Sequence, residues 1–367
     1  MKIKITIATF LSLIIMLSGL TILLPKSSIS DTENRVLQAF PSLSIDTLIS
    51  GEFGEDLEVY LSDHFAFRDT WISLKTLAER ALGKSDINGV YFVDDFLIER
   101  HTDQDVDEKI IAQNLAALEK FLNQNEDKNI SVLIAPTTSY VMSDKLPMYA
   151  EGFDEQGLID GIKAVAGESF VDVTATLKEN SDDYIYYKTD HHWTLNGAFL
   201  AYQELAEQVG LTQIEDDFIK IDERFYGTVY SKVNDFFTKP DEMYAYNSDN
   251  EVKVEYNLDG EIFNTMYDQT ALETKDKYTY YLNGNNAITT IETDLDNDKV
   301  LLVIKDSFAH CFTPFLTNDY SKIIMIDYRY LNLSTSDLMA EYGVTDVLVL
   351  YNSISFATYE TFVSIAN

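Results

Sequence analysis

The chain has 367 residues, with 27 Lys and Arg against 61 Asp and Glu, so its formal net charge is -34. Such a surface repels nucleic-acid phosphates and anionic lipid headgroups, which sets nucleic acid aside as a partner. Its 46% hydrophobic residues can bury a sizeable core, and its one cysteine, Cys311, excludes an internal disulfide and a cysteine-based zinc site.

Lys2 and Lys4 precede an apolar run from Ile5 to Leu24 that is long enough to cross a bilayer as a helix. The positive end should stay in the cytoplasm, leaving the remainder of the chain outside. The length of the run favours a retained anchor, while the small residues Ser28 and Ser30 leave a cleaved leader and a secreted protein as the alternative. Residues 1–30 are therefore read as a signal-anchor, 31–82 as a helical lead-in and 83–367 as the main domain. In the lead-in, Leu57, Tyr60, Leu61, Phe65, Phe67, Trp71, Leu74 and Leu77 fall near helical spacing, with a break around Asp63. His64 sits in that break and is given a structural role, with Arg68 or Asp69 as its polar partner.

Asp107 to Asn123 reads as an amphipathic helix, and the apolar SVLIAP that follows reads as a buried strand. Phe170 to Leu177 and Ile185 to Tyr187 read as further strands. Thr194 should cap a helix that runs to Val209. VLLVI, KIIMI and DVLVLY are apolar runs separated by helical or mixed segments, the pattern of parallel βαβ units. Between residues 212 and 298 the sequence alternates, is rich in tyrosine and is punctuated by Asn-Gly and Asp-Gly, which predicts a β-rich insertion. The expected fold is thus α/β, a parallel sheet flanked by helices. The chain's 23 tyrosines also offer rings on which sugars can stack.

The chemistry concentrates in Thr189-Asp190-His191-His192-Trp193, which holds two of only five histidines. In extended backbone Asp190 and His192 would project to one side and His191 to the other, so Asp190 and His192 are paired. The partner they need is Ser307, which follows the strand ending at Ile304. A serine on a strand-to-helix turn at the carboxyl edge of a parallel sheet presents its Oγ to whatever binds there. Ser307 is read as nucleophile, His192 as its base and Asp190 as the carboxylate that fixes the imidazole. Taken alone, Ser307 reads more readily as an ordinary N-cap of the helix after it than as a nucleophile. Metal is not expected, because adjacent histidines cannot easily reach one ion and no second ligand cluster appears. No cofactor is expected either. Trp193 is assigned to packing or to shaping the pocket. Asp294 to Lys299 resembles the start of a calcium loop, but Lys299 and Lys305 stand where that loop needs Gly and Glu, so it reads as a solvated turn.

TDHHWT followed far downstream by KDSFA resembles the DHHW protein family, a branch of the SGNH-like hydrolases similar to the periplasmic enzymes of alginate O-acetylation. ENRVLQAFP, LSDHFAFRD, FYGTVYSK, Gly284 to Ala287 and IDYRY extend the resemblance over nearly the whole exported chain. It implies an SGNH-like fold, the roles already given to Ser307, His192 and Asp190, and acyl chemistry on a polysaccharide. A multi-pass membrane acyltransferase is the implied supplier of acetyl groups. One departure is Lys305, which stands where ordinary SGNH esterases have the glycine of Gly-Asp-Ser. Ser307 N–H is one expected oxyanion donor, with Asn283, Gly284 and Asn285 as candidates beside it. Those three could instead form only a turn. Arg329 is a candidate for binding substrate oxygens, with an ion pair to Asp327 as the alternative. A carbohydrate esterase with the same triad, and a glycan-binding protein that has lost turnover, are the competing readings.

Overall fold

A computed structural model describes every residue of the chain except Met1, Asp31, Asn34 and Asp249. The chain divides into two compact units, 1–88 with 230–238 and 89–229 with 239–367.

The first unit is helical. Lys2–Leu23 is one continuous helix of 22 residues, long and apolar enough to cross a membrane. Helices Ile45–Ser50, Glu52–Asp63 and Arg68–Ala81 follow, and the break between the last two falls where the hydrophobic spacing fails. At that break the buried Asp63 carboxylate accepts from the Arg35 guanidinium at 2.5 Å and from the Gln38 amide at 2.8 Å. His64 does not pair with Arg68 or Asp69 as expected. Its Nε2 lies 3.0 Å from the Gln38 carbonyl and its ring packs on Tyr60, because Asp63 holds the Gln38 backbone beside the break.

The second unit is built on an eight-stranded sheet, its strands numbered here in chain order: β1 (Asn129–Ala135), β2 (Phe170–Val171), β3 (Val252–Tyr256), β4 (Ile262–Phe263), β5 (Ile288–Thr293), β6 (Val300–Lys305), β7 (Lys322–Ile326) and β8 (Asp346–Asn352). Their order across the sheet is β4-β3-β5-β7-β6-β8-β1-β2. The five strands from β7 to β2 are parallel, and β5, β3 and β4 continue the sheet antiparallel. Thus the β-rich insertion extends the sheet as three of its strands. Its first part forms a separate antiparallel ribbon, Phe218–Phe225 with Asp241–Tyr246.

Alternation along each strand divides the core. Leu301 and Val303 of β6 and Leu348 and Leu350 of β8 face one layer, with Trp193, Phe199, Tyr202, Phe312 and Phe315. Leu302, Ile304, Val347 and Val349 face the other, with Leu118, Phe121, Ile162 and Phe356. Side chains buried on both faces explain why these strands read as continuous apolar runs. The first layer receives the helices Leu195–Val209 and Ala309–Leu316, the second Glu108–Gln124 and Glu155–Ala166. Thr194 caps its helix as expected, its Oγ1 accepting from the Gly197 amide at 3.4 Å.

Two strand expectations are corrected. Only Phe170 and Val171 pair, with Val132 and Leu133 of β1, after which Thr174–Glu179 is a helix whose Leu177 is fully buried. The alternation of FVDVTATL mimics a strand, but its last apolar residue reaches the core from a helix. Ile185 to Tyr187 makes a single bridge, Tyr186 to Trp193.

Candidate active site

Strand direction decides what can meet. In the parallel part of the sheet Lys305 is in register with Leu350, and Leu350 with Leu133, so the carboxyl ends of β6, β8 and β1 share one edge. Ser307 lies two residues past β6 at that edge, partly exposed. Asp306 sets the turn: its Oδ1 accepts from the Phe308 amide at 2.9 Å and its Oδ2 from the Asn352 amide at 2.8 Å, tying the end of β6 to the end of β8. Phe308 caps the following helix, so Ser307 is not its cap, and its hydroxyl is left for another partner.

That partner is His192. Its Nε2 is 2.7 Å from Ser307 Oγ and its Nδ1 is 2.5 Å from Asp190 Oδ1. Both distances fit a neutral imidazole that donates from Nδ1 and accepts the serine proton at Nε2. Asp190 is fixed in turn by donors to its second oxygen, the Thr228 amide at 2.8 Å and the Thr228 hydroxyl at 2.9 Å. The loop carrying Asp190 hangs from Asp241, which accepts from the amides of Lys188 and Thr189 and from the hydroxyls of Tyr184 and Thr189. The Leu97 amide, from the hairpin Val90–Val93 and Phe96–Glu99, donates to the Lys188 carbonyl at 2.8 Å.

His191 departs from the alternating picture. Residues 189–192 are bends, not extended backbone, so the rings of His191 and His192 lie 3.9 Å apart, and His191 Nδ1 is 2.8 Å from Thr228 Oγ1. Ligand atoms of Asp190, His191 and His192 fall within 4.8 Å of one another, a possible metal grouping. The pairing speaks against it, since both nitrogens of His192 and both oxygens of Asp190 already have partners. Trp193 is fully buried, donating to the Phe308 carbonyl at 3.0 Å and packing on Phe312, so it is placed in the core.

The substrate-binding candidates fare differently. Arg329 makes the ion pair, bonding Asp327 through Nε at 2.9 Å and through a terminal nitrogen at 2.5 Å, and it also donates to Tyr359 and to Asn285. Asn283 and Asn285 are exposed and Gly284 is buried in a turn of left-handed backbone. That turn is held by the Asn286 amide, which donates to the carbonyls of Leu282 and Gly284. Arg329 therefore links the turn to the end of β7. Among the described residues, no backbone acceptor takes the Ser307 amide, which leaves it available as an oxyanion donor.

Lys305 occupies the glycine position without blocking the turn, because its side chain is buried below it. Its Nζ is 2.8 Å from His310 Nε2 and 3.4 Å from Asp327. Burial lowers the Lys305 ammonium to about 8, with Asp327 opposing. Cys311 is buried, and burial pushes its thiol up to about 12, which leaves it unreactive.

Burial and neighbouring charges pull against one another at both Asp190 and His192. Burial works against ionisation of Asp190, yet His191, His192 and the Thr228 amide together hold it well below the usual carboxylate range. Burial lowers His192 to about 4, helped by His191 and Arg329 and opposed by Asp190.

One essential contact had no assigned role in the sequence reading. A Cβ on Gly227 would lie 2.2 Å from Asp190 Cβ and 2.4 Å from its Oδ2. Only glycine lets the 227–228 backbone approach closely enough to donate to Asp190. Gly227→Ala should cost about 1–3 kcal/mol of stability, because a packed site must be forced apart. Urea denaturation checks this; a variant of unchanged stability would contradict the close approach. The signal was present as FYGT, a matched segment without a function.

With this geometry in place, the comparisons define the class. The model for the SGNH hydrolase-like domain of the acetyltransferase AlgX matches residues 94–226, and the fold is of that kind, a mostly parallel sheet flanked by helices. The model for DHHW protein matches residues 162–326, so the chain is similar to DHHW proteins over that stretch. A crystal structure of a DHHW family protein from Eubacterium siraeum is 23% identical, with a TM-score of 0.66 over 77% of this chain and 96% of that one. The structure of Bacillus cereus PatB1 with a sulfonyl adduct is 19% identical, with a TM-score of 0.61 over 76% of this chain and 98% of that one. At these identities both bear on the fold alone. No curated protein matched the chain. The model that matches residues 94–226 is that of an acyl-transfer family.

Proposed function

We propose that the chain is an extracytoplasmic O-acetyltransferase that modifies a cell-surface or exported polysaccharide through an acyl-enzyme on Ser307. The observation that carries this reading is the unbroken path from Asp190 through His192 to Ser307 Oγ, with contacts of 2.5 and 2.7 Å. Ser307 Oγ attacks the acetyl carbonyl as its proton passes to His192 Nε2, and the Ser307 amide supports the developing oxyanion. His192 then returns that proton to the departing oxygen, leaving acetyl-Ser307 and a free donor alcohol. A sugar hydroxyl gives its proton to His192, attacks the acetyl-serine and leaves as the ester, and Ser307 recovers its proton. Throughout, Asp190 holds the Nδ1–H tautomer and supports the imidazolium.

The helix Lys2–Leu23 supports anchoring at the membrane, which would hold the site near a multi-pass membrane protein able to supply acetyl groups. The net charge of -34 favours a neutral or cationic glycan over an acidic one. Transfer is tested by incubating the full chain in detergent with an acetyl ester and an oligosaccharide and following acetyl groups by mass spectrometry. Acetylated oligosaccharide is the expected product. Free acetate alone, whatever the acceptor, would make the enzyme an esterase.

A pH profile follows from the same site. The base must be neutral to take the Ser307 proton, and His192 is lowered to about 4, so kcat/KM should hold steady below neutrality and fall only near pH 4. His191 helps push the proton off His192, so His191→Gln should move the acid limb upward. A limb at the ordinary histidine value in the unmutated chain would contradict the burial argument.

A further inference from the structure

We infer that Tyr278, from the insertion, is the positioning residue that holds the His192 imidazole toward Ser307. This rests on the function proposed above. The Tyr278 ring is stacked on His192 with centroids 3.9 Å apart and planes 11° from parallel. Its hydroxyl lies 3.3 Å from the Ser307 carbonyl oxygen and 3.5 Å from Cys311 Sγ, on the turn and helix that carry the nucleophile. One side chain thus touches both the base and the segment bearing the serine.

The segment around Tyr278 is braced on the same machinery. Tyr278 belongs to the short helix Lys277–Tyr280, and it is packed edge-on against Tyr187 and Tyr281. Lys277 pairs with Asp222 of the ribbon, while Lys275 Nζ donates to the Tyr226 carbonyl at 2.6 Å, next to the Gly227-Thr228 backbone that holds Asp190. Residues 275–278 therefore reach both the cradle of the acid and the face of the base.

The hydrogen bonds of Asp190 and Ser307 fix only the in-plane direction of the imidazole. The tilt of the ring about the line joining its two nitrogens is left to ring contacts: His191 and Phe308 meet it at 36° and 46°, and Tyr278 alone of the three lies nearly parallel to it, so Tyr278 is the face that sets the tilt. An electron-rich face against the imidazole also favours the imidazolium that forms as the serine proton arrives. Burial keeps Tyr278 a neutral phenol, raising it well above the ordinary tyrosine value.

Two substitutions separate the ring from the hydroxyl. In the full-length chain with a chromogenic acetyl ester, Tyr278→Leu should reduce kcat about tenfold with KM nearly unchanged, since a tilted base slows proton transfer without altering ester binding. Tyr278→Phe keeps the stacking face and should retain at least about a third of kcat. A folded Tyr278→Leu chain with unchanged kcat, or a folded Tyr278→Phe chain as slow as Tyr278→Leu, would overturn the inference. Loss expressed in KM alone would also overturn it, by making Tyr278 part of substrate binding. The unmutated chain is the control for the underlying function. If it neither turns over the ester nor becomes sulfonylated at Ser307 by a sulfonyl fluoride, the proposed function fails first and the role of Tyr278 with it.

Discussion

Ser307→Ala is expected to remove ester turnover by at least about a thousandfold while leaving the chain folded, and His192→Ala to do nearly the same. The reason lies in the division of labour proposed for a 2.7 Å contact, in which Oγ would supply the bond to the acyl group and Nε2 would accept the proton released. Because neither can act without the other, the two losses should not add in the double variant. Ser307 is partly exposed and makes no cap, so its loss removes only the hydrogen bond to His192, and Ser307→Ala should stay folded with its thermal unfolding shifted by no more than a few degrees. Turnover surviving in either single variant, measured on full-length chain in detergent, would remove the triad from the account.

Asp190→Asn carries the second large effect, a fall in kcat on the order of 10⁴. The asparagine is nearly the same shape and can still be held by Thr228, but it carries no charge to support the imidazolium. Its amide group turned toward Nδ1 would also favour the wrong histidine tautomer. Asp190 is buried with only polar and imidazole partners, so the lost charge has no solvent to replace it. A stopped-flow or steady-state assay showing kcat within about tenfold of the unmutated value would mean that Asp190 only shapes the loop.

The sheet was legible because both of its faces are covered. VLLVI, KIIMI and DVLVLY read as strands without alternation, and β6, β7 and β8 stand where those runs stand. Phe170 to Leu177 misled because alternation cannot distinguish a strand from a short helix whose one apolar side chain reaches the core. Asp190, His192 and Ser307 could be paired from residue types and chain position, though the supposed extended backbone around His191 is a bend. What holds them was beyond reach. Thr228 and Gly227 lie 38 and 37 residues after Asp190 in sequence, and Asp241 further still, so nothing local signals their contact. Tyr278 stands in a run with Tyr280 and Tyr281, and composition gives no reason to choose one ring among three. Arg329 had two readings in the sequence, and the ion pair with Asp327 is formed. It leaves the guanidinium partly exposed beside Asn285.

The central claim is an acyl group carried on one serine, and it can be observed directly. Full-length chain mixed with an acetyl ester, quenched in acid within the first turnovers and digested, should yield an acetylated peptide whose fragmentation places the group on Ser307. The same peptide should be unmodified in His192→Ala treated alike, because Oγ then has no base. Acetyl found on another side chain, or turnover without acetyl on Ser307, would contradict the mechanism.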